Sequence, residues 1–177
     1  MIRLSQRARL MVITLSVLLA LLMVNWQIIG KEQTLAEGHT VLLELAPVDP
    51  RSLMQGDYMA LRYSLAAQAA RLLDEDAANS GHLVISTDEN QVASLVGVYD
   101  GGQLESNQLL LHYRRRGHQL RLASDAFFFQ EGHWQRYQSA RYGELRVAEN
   151  GDAILVGLRD REYRMLGTEP RDDLVSP

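Results

Sequence analysis

Apolar residues dominate the chain from Leu10 to Val24, and no charge occurs between Arg9 and Lys31. The 21 residues from Leu10 to Gly30, at about 1.5 Å of rise each, match a hydrocarbon core of about 30 Å and predict a transmembrane helix. Thr14 and Ser16 can bond back to carbonyls of their own helix, so neither breaks the span. Trp26, between Asn25 and Gln27, falls where an amphipathic ring sits at headgroup level. Arg3, Arg7 and Arg9 precede the span and only Lys31 follows it closely. By the positive-inside rule, residues 1–9 form a cytoplasmic tip and everything after the anchor is exported. A cleaved signal peptide would end in a small-x-small site, which Asn25-Trp26-Gln27-Ile28-Ile29-Gly30 does not offer. A buried helix of a soluble fold rarely needs so long an uncharged run.

The pattern changes after the anchor. Residues 31–39, polar from Gln33 to Gly38, read as a connector. Thr40 to Ala46 is a buried strand closed by Pro47. Pro47 to Asp57 is dense in turn residues and reads as an ordered loop. Tyr58 to Ser64 alternates, with Met59, Leu61 and Tyr63 on one face and Tyr58, Ala60 and Arg62 on the other. Leu65 to Ala78 carries Leu65, Ala69, Leu72 and Leu73 at helical spacing, fraying near Asp74-Glu75-Asp76, where the helix dipole disfavours acids. Consecutive helical residues point about 100° apart, so that acidic run is read as solvated charge and not as a metal site.

Short strands follow: His82 to Ser86, Val92 to Tyr99, and Gln108 to Arg115 paired with His118 to Ala123 across Arg116-Gly117. Neighbours in a strand face opposite sides, so Arg114-Arg115-Arg116 is read as an edge-strand guard in preference to a phosphate site. Phe127-Phe128-Phe129 places aromatics on both faces, and a polar, helical piece runs from Gly132 to near Ala140. Gly143 to Ala148 and Ala153 to Leu158 form a hairpin across Glu149-Asn150-Gly151-Asp152. The expected fold is a mainly antiparallel β (α+β) domain with one short helix over residues 40–167, after a single transmembrane helix at 10–30 and before a flexible tail at 168–177.

Composition narrows the chemistry. With the three leading arginines set aside, 15 of the 18 basic residues face 22 acidic ones, a net charge of −7 that does not fit nucleic-acid binding. The chain has no cysteine, which removes disulfides, thiolate metal sites and cysteine nucleophiles. Lys31 is the one lysine. His39, His82, His112, His118 and His133 show no triad or metal spacing, and no cofactor is implied.

Gly56-Asp57-Tyr58-Met59-Ala60-Leu61-Arg62-Tyr63 resembles, at each fixed position, the pattern that gives the GDYXXLXY protein family its name. Lys31-Glu32, Val41 to Leu45 and Pro47-Val48-Asp49-Pro50-Arg51 look like the family's lead-in, and Ala140-Arg141-Tyr142-Gly143-Glu144 looks like its C-terminal half. The resemblance implies a bacterial protein with an N-terminal membrane helix, often encoded near multi-spanning membrane proteins, and names no reaction. Gly56 can take the positive φ that a sharp turn into the strand needs, and Asp57 can accept backbone N–H bonds there. One reading makes the loop a structural corner. The other places Asp49, Arg51, Gly56, Asp57, Tyr58, Leu61 and Tyr63 at a binding surface, since ordered loops on rigid strands often carry recognition.

Two functions compete. An accessory or binding domain would work with a multi-spanning membrane protein or a cell-envelope ligand, on the outer side of a bacterial inner membrane. A membrane-anchored serine hydrolase of the signal-peptidase kind would use Ser52. Yet Leu53-Met54 follows that serine where Met-Pro is expected, and no lysine lies downstream to activate it.

Overall fold

The computed structural model describes residues 6–46, 54–55, 58–73, 78–117 and 119–167. The chain divides into two compact units, Met1–Glu37 and Gly38–Pro177. The first contains helix α1 (Gln6–Glu37), the one described helix long and apolar enough to cross a membrane. Its apolar side chains are exposed all round, Trp26 most of all. Ser16 Oγ donates to the Val12 carbonyl at 2.8 Å, which keeps its hydroxyl satisfied within the helix. The helix does not stop at Gly30. It continues through the stretch expected to be a connector, because Lys31 to Glu37 contains no proline or glycine and is rich in good helix formers.

Among the described residues the second unit contains ten strands and one short α-helix: β1 (His39–Glu44), β2 (Met54–Gln55), β3 (Tyr58–Ala60), α2 (Ser64–Leu72), β4 (Ser80–Thr87), β5 (Ala93–Val98), β6 (Gln108–Arg116), β7 (Gln119–Arg121), β8 (Ala126–Phe128), β9 (Tyr142–Val147) and β10 (Ala153–Arg159). They form three sheets, ordered β1-β9-β10, β2-β3-β8 and β5-β4-β6-β7, and each strand pair within them is antiparallel. This is the expected mainly antiparallel class.

The unbroken apolar run of β1 has a structural reason. Val41, Leu42 and Leu43 are all buried, and both edges of the strand are occupied. β9 pairs with one edge, while the Leu42 amide donates to Gln91 O at 2.8 Å and the Ala46 amide to Arg62 O at 2.7 Å. β1 is thereby tied to all three layers, and Val41 and Leu43 join Leu61, Leu83, Leu111 and Leu145 in one core. α2 is shorter than expected. It ends at Leu72, which is exposed, and Leu73 turns into extended backbone instead of adding a turn. Asp74 to Asp76, the expected fraying point, lie outside the described residues.

Two further expectations are corrected. The second strand ends as regular strand at Ala60, although Tyr63 still bridges Leu45 and Ser64 opens α2. The arginine run is not on a sheet edge, because β7 pairs Arg114 to Arg116 with Arg121, Leu120 and Gln119. The polar piece after Gly132 is a single 3-10 turn, Trp134–Tyr137. Its Tyr137 ring sits against both Phe127 and Phe129, 5.0 and 5.3 Å between centroids.

Candidate functional site

The motif strand divides by face. Leu61 and Tyr63 point inward, with 5% and 4% of their surface exposed. The Tyr63 hydroxyl donates to the Ser124 carbonyl at 3.0 Å, and a Cβ on Gly143 would lie 3.1 Å from the Tyr63 ring. The last tyrosine of the motif therefore lies on the glycine of the Arg141-Tyr142-Gly143-Glu144 segment, which explains why both patterns occur in one chain. Burial, and then the nearby Asp125 carboxylate, push the phenol well above its ordinary range, so it stays a neutral donor. These two residues of the expected binding set belong to the core.

Tyr58 faces the other way. It pairs across β3 and β8 with Phe128, the rings 5.9 Å apart and tilted by 41°. Tyr58 is 36% exposed and Phe128 is 74% exposed. The next pair along the same face is Ala60 and Ala126, so this outward face has no polar side chain over its two registered pairs. Sheets with one face in water normally alternate apolar with polar; here the registered partner of Tyr58 on the β2 side is Gln55, so the apolar patch is confined to the β3–β8 pairs. Asp49, Arg51, Gly56 and Asp57, and with them Ser52, lie outside the described residues.

A second cluster, missed as a site by the sequence reading, caps the end of β9 and β10. Glu144 is buried and accepts from Arg159 Nε at 2.6 Å, while Arg159 Nη1 donates to the Tyr163 carbonyl at 2.5 Å. Asp160 is buried too. It accepts from the backbone N–H groups of Glu162 and Arg164 and from the Arg164 side chain, all near 3 Å. Burial alone would raise its carboxyl, but the Arg164 bonds and charge outweigh it and hold the pKa below the usual value. The Tyr142 ring lies 5.2 Å from that of Tyr163, tilted by 35°, and Tyr163 is held at φ +62. Burial first, then Tyr163, Glu44 and Asp88, raise its phenol. The two buried carboxylates, Glu144 and Asp160, are both bonded within the chain, so the cluster closes a turn. The one legible signal was Tyr142-Gly143-Glu144 itself.

The histidines are less scattered than their spacing suggests. His82 and His112 face each other across β4 and β6 with ring centroids 5.2 Å apart, and His112 Nδ1 lies 3.9 Å from Asp152. Among the described residues no three His, Asp or Glu side chains converge as metal ligands. The model of the family described as "GDYXXLXY protein" matches residues 20–158. No curated protein and no solved structure matches the chain.

Proposed function

Taking as premise that the chain belongs to the GDYXXLXY family, we propose that it is a membrane-anchored binding module of the bacterial inner membrane, with its N-terminus in the cytoplasm and residues 38–177 outside. It docks there on a multi-spanning membrane protein. The observation that carries this reading is the Tyr58–Phe128 face: the motif directs the Tyr58 ring outward, where Phe128 of β8 stands beside it, next to two alanines. Covering one such ring contributes about 1.5–3 kcal/mol, and aromatic residues of this kind form the energetic centre of protein interfaces. Two further observations favour a partner in or at the membrane. Helix α1 is long and apolar enough to span, and in the sequence Gly38 alone separates its end from β1.

Affinity purification of the full chain in mild detergent tests the proposal. The wild type should retain a membrane protein in a reproducible ratio. Tyr58→Ser with Phe128→Ser should lose it while the melting temperature of the domain stays within about 2 °C, as expected when exposed positions change. A chain that purifies alone, or a double variant that keeps the same companion, would contradict the reading.

A further inference from the structure

β7 is only three residues long and covers β6 from Arg114 to Arg116. The edge of β6 is left open beyond that point, and the turn between β9 and β10 closes it: the His112 amide donates to the Gly151 carbonyl at 2.8 Å. Gly151 takes φ +86, and any Cβ there would lie 2.9 Å from His82 Cδ2 and 3.2 Å from the His112 nitrogen. The turn is therefore seated directly on the two histidines. Their own geometry is close. The His82 carbonyl is directed toward β5, where it accepts from Tyr99, and the His112 N–H is directed away from β4. The two form a non-hydrogen-bonded antiparallel pair, the arrangement that brings facing side chains nearest.

We propose that the β9–β10 turn is an acid-operated latch, in which charging of His112, seated against His82 and near Arg114, releases Gly151 from the edge of β6. The balance of charge favours release over retention. His82 faces His112 from β4, Arg114 lies two residues along β6, and Asp152 approaches from the turn. Strand β5 is uncharged over its whole length, and Arg121 of β7 is held by Asp125 at 2.8 Å. A proton on His112 can be accommodated by Asp152. Against that single carboxylate, burial on the strand edge and the neighbouring His82 and Arg114 all disfavour a charge on His112.

Burial, then His82 and Arg114, hold the His112 pKa below its ordinary 6.5 against the opposing pull of Asp152. The unfolded or released chain thus binds protons more readily than the latched one. The latch is complete above the ordinary value and is lost progressively as the pH falls below it. What opens is a strand edge with an unpaired N–H, a surface that another chain can join by strand addition. The latch is independent of the Tyr58–Phe128 face and stands or falls separately from the docking proposal.

Hydrogen exchange of the full chain in detergent, corrected for the pH dependence of the intrinsic rate, reads the latch directly. Protection of the segment 108–116 should fall ~10-fold between about pH 7.5 and about pH 5.5, with strands β1 and β9 unchanged, as for a local opening. His82→Gln should make the fall smaller, and Asp152→Asn should make it larger by removing the compensating carboxylate. Equal protection at both pH values, or the same fall in His82→Gln, would overturn the proposal. So would an Asp152→Asn profile identical to wild type.

Discussion

Removing a single oxygen at Tyr63 isolates the inward half of the motif. Tyr63→Phe keeps the ring on Gly143 but removes the part-buried hydrogen bond to the Ser124 carbonyl, which costs about 0.5–1.5 kcal/mol. In a domain of this size that lowers the melting temperature by about 2–5 °C in a calorimetric scan. Tyr58→Phe, on the outer face of the same strand, should leave the melting temperature within about 1 °C. The contrast separates two roles inside one octapeptide. Alternation made that division legible in advance: Tyr58 and Tyr63 are an odd number of residues apart, and a strand sends such a pair to opposite sides. Which side was core could not be read locally. It is decided by Ser124 and Gly143, distant in sequence, and Gly143 is the position where a side chain would strike the Tyr63 ring.

Among the elements, β1 ties the sheets together. Leu43 is fully buried and sits on a strand bonded to β9 on one edge and to the Gln91 turn on the other. Leu43→Ala should cost about 2–5 kcal/mol, measured by urea unfolding, with one transition lost as a unit because the strand serves several layers. An exposed apolar residue such as Val98, changed to alanine, should cost no more than about 0.5 kcal/mol. The sequence showed local pairings well. The β9–β10 hairpin and the β6–β7 hairpin follow from Asn150-Gly151 and Arg116-Gly117, where the turn and both strands are contiguous. It did not show that β1 pairs with β9 or β3 with β8, because those contacts join segments that share no turn. Reading Arg114 to Arg116 as an edge guard overlooks the hairpin across Arg116-Gly117, legible locally, which already supplies the strand that covers them. Ending the first helix at the last apolar residue likewise overlooks Lys31 to Glu37, which continues it.

At the scale of the whole molecule, the account joins a helix able to span a membrane to a β domain with one apolar outward face. An acidic domain that shows the Tyr58–Phe128 ring pair on its surface is under pressure to cover it. The central claim is that a protein partner covers Phe128. Site-specific photo-crosslinking in intact cells tests it most directly, with a benzophenone side chain at Phe128 compared with the same side chain at Val98, exposed on β5. The account predicts a discrete adduct to one membrane protein from position 128 and none from position 98. No adduct at 128, or the same products from both positions, would contradict it.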